Sequence, residues 1–230
     1  MKKILMIILV IALIALTGCV EKEGNTINVE GSSELTVEPD EAEVWTGISI
    51  VKLNAQEAQD EANIVINAVI DELQAAGFDD IETEQLSLYE ERRWEEGESK
   101  VVGWRATQTL KIKTTELDKV GQIVDISVKN GANQINNINF GLSETEEQEY
   151  KKQALSDATK NAKSKAETIA DSLEVKLGDI KSVSESDFYF RPYMYAMEKA
   201  VGVDAVAEAA AIMPGKVTVT ARVSIVYNIR

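Results

Sequence analysis

Histidine does not occur anywhere in the 230 residues. Its absence removes the Ser-His-Asp and Cys-His arrangements of nucleophilic catalysis, and with them the H-E-x-x-H zinc site. Cysteine occurs once, as Cys19, so no internal disulfide can form and no zinc site can be assembled from Cys and His. Neither G-x-x-x-x-G-K-[ST] nor G-x-G-x-x-G is found, which leaves no phosphate loop of either kind. Aromatic residues make up only 6% of the chain, a mild argument against an aromatic-lined ligand cleft. Positive charge is also scarce: 24 Lys and Arg stand against 39 Asp and Glu, a net charge of −15. Such a surface repels nucleic acid and anionic headgroups, so no nucleic-acid partner is expected.

The acidic residues are too many for any one pair to mark a site. Asp79-Asp80-x-Glu82 and the run Glu144 to Glu149 could face a cation, yet neither has the EF-hand spacing, and both read as solvated faces. Paired carboxylates of the glycosidase kind carry no signal against that background. The expectation is a protein that is not an enzyme, with no catalytic residue, no cofactor and no metal.

What is present begins with an address. Lys2 and Lys3 precede an uninterrupted apolar run from Ile4 to Leu16, closed by Leu16-Thr17-Gly18-Cys19. Thirteen residues make about 20 Å of helix, short of the roughly 20 residues that span a bilayer. These are the proportions of a signal peptide. The closing tetrapeptide resembles the lipobox of prokaryotic lipoproteins, which implies removal of residues 1–18 and lipidation of Cys19. Loss of Lys2 and Lys3 leaves 22 basic against 39 acidic residues, a net −17. Residues 19–26 then form a short tether, so the domain is expected outside the cytoplasm, held to the membrane by lipid on its periplasmic or extracellular side.

The longest periodic stretch runs from Ser143 to Leu173. Ala154, Ala158, Ala162, Ala166 and Ala170 recur at every fourth position, a stripe that winds slowly around one side of a helix. Small side chains let a helix backbone lie close to a partner, here a β-sheet. Ser143 with Glu146 or Glu147 nearby supplies an N-cap signal, and the acidic cluster Glu144, Glu146, Glu147 and Glu149 suits the positive helix end.

The remaining elements follow in order. Ile27 to Val37 and Ala42 to Ile50 alternate as strands around Pro39-Asp40 and read as a hairpin. Asn54 caps a helix with Ala58, Ala62, Val65, Ile66, Val69, Ile70 and Leu73 inward, stopped by Gly77. Ile81 to Glu91 and Val101 to Thr114 form a second hairpin with a charged, mobile tip, where Arg92, Arg93, Trp94 and Glu95 are either a contact site or a solvated loop. A helix over Leu117 to Lys129 places Leu117, Val120, Ile123, Val124 and Val128 inward, ahead of an irregular Asn-rich strand to Leu142. Ile180 to Tyr189 is a strand, and Lys216 to Arg230, with the cleanest alternation in the chain, reads as a central one. Between them Arg191 to Gly215 breaks pattern. Its Tyr193, Met194, Tyr195 and Met197 form either an adaptable contact surface or part of a short helix over the sheet.

Hairpins mixed with helices define an α+β fold with a mainly antiparallel mixed sheet packed by about three helices. Residues 27–230 are expected to hold it, with possible subdomains 27–114 and 115–230.

The chain also resembles the SIMPL-domain family of exported and envelope proteins. The resemblance rests on Ile27-Asn28-Val29-Glu30-Gly31, Pro39-Asp40-Glu41-Ala42, Val102-Gly103-Trp104-Arg105-Ala106 and Leu117-Asp118-Lys119-Val120. It continues through Gly131-Ala132-Asn133, Ile138-Asn139-Phe140, Tyr150 with the alanine-spaced helix, and Pro214-Gly215 before Val217-Thr218-Val219. It implies an α+β domain that can self-assemble and implies no enzyme activity. Two functions therefore stand open. One is a structural or interaction protein of the envelope, partnered by copies of itself or by other envelope proteins. The other is a lipoprotein that binds a small ligand in a pocket between sheet and helices.

Overall fold

The structure, a computed structural model, describes residues 24–95, 97–191, 193–195 and 214–230. The expected leader, Cys19 and Met197 lie outside the described residues, as does most of the segment between Arg191 and Gly215. In order, the elements are β1 (Thr26–Val37), β2 (Glu41–Lys52), α1 (Ala55–Ala75), β3 (Ile81–Glu95) and β4 (Glu98–Thr114). After a 3-10 turn (Leu117–Lys119) come α2 (Val120–Lys129), β5 (Gln134–Gly141), α3 (Glu144–Ser172), β6 (Leu177–Arg191), β7 (Tyr193–Tyr195) and β8 (Val217–Ile229). The α+β expectation is met. Instead of one mixed sheet, the described strands build two antiparallel ones, ordered β1-β8-β6 and β3-β4-β2-β5-β7.

By its contacts the chain divides into two compact units. One comprises residues 33–157 and 187–221; the other comprises residues 24–32, 158–186 and 222–230 among those described.

The larger unit holds the five-stranded sheet. Helices α1 and α2 cover one of its faces, where Val44, Leu110, Ile112 and Ile138 meet Ile66, Val69, Leu73, Val120 and Ile123 in one buried core. Asn54 caps α1 by accepting from the Glu57 amide at 2.8 Å, and Gly77 ends it with φ +92°. Expected inward, Val128 is instead 54% exposed, because α2 is only ten residues long and its buried stripe passes through Val120, Ile123 and Ser127. The Asn-rich strand β5 is irregular as expected: its register against β2 slips between Trp45 and Thr46.

The first two strands do not form a hairpin. β1 pairs with β8, whereas β2 lies between β4 and β5. Asp40 explains the separation. Its amide donates to the Gly141 carbonyl, and its carboxylate accepts from the Ser143 amide at 2.7 Å and the Ser143 hydroxyl at 2.6 Å. The Pro39-Asp40 turn is thereby held by the start of α3 and does not fold β2 back on β1. Ser143 in turn stands at the N-cap, its hydroxyl oxygen facing the Glu146 amide at 3.4 Å.

In the smaller unit β8 is the central strand, flanked by β1 and β6. Its Val223, Ile225 and Tyr227 are buried, as are Ile27, Val29 and Gly31 of β1. The alanine stripe is buried throughout this unit, from Ala158 at 0% to Ala170 at 2% exposure. Gly31 shows why alanine is needed there. A Cβ at that position would lie 2.6 Å from the Ala162 nitrogen and closer still to the Ala158 carbonyl oxygen. Helix and strand are in backbone contact, sealed by hydrogen bonds from the Ser32 amide to Asn161 Oδ1 and from Lys165 Nζ to the Glu30 carbonyl.

Replacement of Gly31 by alanine therefore forces helix and strand apart. The expected loss is about 1–3 kcal/mol, of the overpacking kind, read as a lower urea midpoint. Gly24→Ala, where an added Cβ meets nothing within 4 Å, serves as control and leaves the midpoint unchanged.

Candidate interaction surface

The β3–β4 hairpin is built by two long strands that pair along almost their whole length, from Ile81 opposite Ile112 to Glu95 opposite Glu98. The charged stretch expected as a mobile tip is thus mostly strand. Arg92, Arg93, Trp94 and Glu95 all belong to β3, and Gly97, with φ +82°, supplies the turn conformation that other residues rarely adopt. The charges do not melt the strand because they pair along it: Arg92 with Glu90 at 2.8 Å and Arg93 with Glu95 at 3.4 Å, each two residues apart on one side.

β4 is well anchored. On the helix face Ala106, Leu110 and Ile112 belong to the core. On the other face Arg105 donates to Glu91 at 2.8 Å and to the Ser49 hydroxyl at 3.0 Å, tying β3, β4 and β2 together. That bond from Arg105 holds the Glu91 carboxyl below the usual range, and the Lys111 ammonium does the same for Glu82. β3 itself is different. It terminates the five-stranded sheet, and only Ile81, Ser87 and Glu91 are even partly covered. Leu86 is 60% exposed, Leu88 39%, Tyr89 49% and Trp94 73%.

The opposite edge of that sheet is treated otherwise. There β7 pairs with β5, with Tyr193 opposite Phe140, Met194 opposite Asn139 and Tyr195 opposite Ile138. The backbone of this part of the expected contact segment is used within the sheet. The structure brings Tyr193, Met194 and Tyr195 onto one edge and does not bring them to the β3 edge. Sequence reasoning named Trp94 and its neighbours but passed over Leu86, Leu88 and Tyr89. The usable signal was the poverty of β3 in apolar residues: a 15-residue strand so polar on both faces has no layer to pack against.

Two cavities meet at Glu41 and Lys113. One, of about 290 Å³, is lined by Glu41, Glu43, Lys113, Asn139, Glu144 and Phe190 among others. The second, of about 250 Å³, is lined by Phe78, Asp79, Asp80 and Glu116 besides the shared pair. Burial pushes the Glu41 carboxyl up; Lys113 opposes this, while Glu43, Asp40 and Asp80 add to it. Among the described residues no three acidic side chains gather as a metal site would need, and no helix is long and apolar enough to cross a membrane.

The chain belongs to the SIMPL family, described as a protein of unknown function (DUF541), whose family model matches residues 27–227. Among similar proteins is "Uncharacterized protein YggE" of Edwardsiella ictaluri, 27% identical over 173 residues, covering 74% of this chain and 72% of the relative. The protein of the same name from Escherichia coli K12 is 26% identical over 181 residues, covering 77% and 73%. The "26 kDa periplasmic immunogenic protein" of Brucella abortus is 29% identical over 166 residues, covering 69% and 66%.

The sign of the Glu41 shift gives a test. A carboxyl raised above its unfolded value adds stability while protonated and loses it as pH rises through the folded pKa. Glu41→Gln should therefore raise Tm at pH 7 and leave it unchanged near about pH 3, where the native side chain is itself neutral. A lower Tm at pH 7 would show that attraction to Lys113 outweighs burial.

Proposed function

We propose that the chain is a lipid-anchored protein of the cell envelope that acts by assembly, with copies of itself or with other envelope proteins, and not by catalysis. The observation that carries this reading is β3, an edge strand of 15 residues with Leu86, Leu88, Tyr89 and Trp94 at the surface. An uncovered edge offers a row of backbone donors and acceptors, and a further strand satisfies them. Location in the envelope is supported by the Brucella relative, which is named as periplasmic. The anchor is supported by Lys2-Lys3, the apolar run and Leu16-Thr17-Gly18-Cys19.

Ligand binding is the second reading, and the cavity of about 290 Å³ beside Glu41 bears on it. Four of its nine lining residues are carboxylates, beside a single lysine, whereas pockets for small organic ligands are mostly apolar. That chemistry favours assembly.

Two measurements test the proposal. Cys19→Ser should move the protein from the membrane to the soluble fraction of fractionated cells; retention in the membrane would remove the lipid anchor. The native mass of the chain from Gly24 onward, followed over a dilution series, should exceed that of the monomer and fall on dilution. A strict monomer throughout shifts the weight to a partner of different sequence or to ligand binding.

A further inference from the structure

We infer that the smaller unit meets the lipid bilayer end-on, through the end that carries Asn25, Leu173 and Lys176. The inference rests on the lipid-anchor reading of Cys19 and adds to it which surface the membrane covers. Three observations select that end.

The first is convergence. β1 starts there at Thr26, β8 finishes there at Ile229, α3 ends there at Ser172 and β6 begins there at Leu177. The Ile229 amide donates to the Asn25 carbonyl at 3.1 Å, and Lys176 and Arg230 exchange backbone hydrogen bonds of 2.9 and 3.0 Å. All four elements of the unit therefore share one end, and Asn25, where the tether joins, belongs to it.

The second is reach. Asn25 lies six residues after Cys19, and six extended residues span at most about 20 Å. From Asn25, β1 runs seven residues to Ser32, the limit of the unit, which is about 23 Å of strand. A tether doubled back from Asn25 along β1 falls short of the far end. That end does not rest on the membrane that holds Cys19.

The third is the surface itself. Leu173 follows the last turn of α3 and is 60% exposed, and Ile169, one turn earlier on the same side, is 38% exposed. Charge is balanced here: Asp171, Glu174 and Asp179 stand against Lys176, Lys181 and Arg230, with Arg230 paired to Asp179 at 3.1 Å. The chain from Cys19 onward carries −17, so this end is spared the repulsion that the rest exerts on anionic headgroups. Leu173 enters the boundary between headgroups and acyl chains, and the Lys176 ammonium reaches the phosphates beside it.

The contact is tested on the lipidated protein, purified from membranes and reconstituted into vesicles of phosphatidylethanolamine and phosphatidylglycerol. With the Cys19 sulfur bonded to lipid, an introduced cysteine is the single free thiol. Leu173→Cys and Lys176→Cys, each labelled with a nitrobenzoxadiazole dye, should shift their emission to shorter wavelength on reconstitution and lose intensity to lipids bearing a nitroxide near the headgroup. Glu185→Cys, exposed on β6 about 26 Å along the strand from Leu177, should do neither.

A protein recovered in the soluble fraction with Cys19 as a free thiol overturns the anchor reading and this inference with it. A membrane-bound protein whose probes at Leu173 and Lys176 stay unshifted and unquenched overturns the inference alone. Quenching at Glu185 as strong as that at Leu173 does the same, because the unit then lies on its side.

Discussion

Backbone-to-backbone approach at Gly31 governs the smaller unit. Nothing larger than hydrogen fits between β1 and α3 at that point, and nothing larger than a methyl group is found along the facing stripe from Ala158 to Ala170. Small residues bury little apolar area each, so this contact gains its strength from closeness. Dispersion between backbones and hydrogen bonds such as Lys165 to the Glu30 carbonyl replace the large side chains of an ordinary core. β8 supplies the bulk that the helix lacks, through Val223, Ile225 and Tyr227.

The larger unit relies on conventional packing, with Ile66, Leu73, Leu110, Ile112 and Phe140 wholly buried. Its particular device is Asp40. One carboxylate accepts both the amide and the hydroxyl of Ser143, and one amide secures the Gly141 carbonyl. A turn between strands and the start of a long helix are thus fixed by a single residue. Hydrogen bonds to an ionised group are stronger than neutral ones, which suits a residue with so much to hold.

Local periodicity was readable and partnership was not. The buried stripe of α1, the Asn54 cap, the Gly77 stop and the alanine stripe follow from spacing of three, four or two residues, and each is found where spacing puts it. The Val217–Ile229 strand announced a central position through its unbroken alternation. Which strands pair is decided by residues far apart, and Pro39-Asp40 looked like a hairpin turn because the grip of Ser143 on Asp40 spans 103 positions. The β3–β4 tip was misread for a related reason. Dense charge resembles a solvated loop unless it is seen that Glu90 with Arg92, and Arg93 with Glu95, pair along an extended strand. Exposure of Leu86, Leu88 and Tyr89 goes with the lack of a layer over β3 among the described residues, which the polar composition of the whole strand records better than the spacing of any one residue.

The place of β8 between β1 and β6 also orders events in time. β1 and β6 touch each other only through a strand that nearly the whole described chain separates from β1. Closing so long a loop is slow, and no earlier segment can substitute for the missing middle strand. During synthesis, the sheet stays open until Val217–Ile229 has emerged.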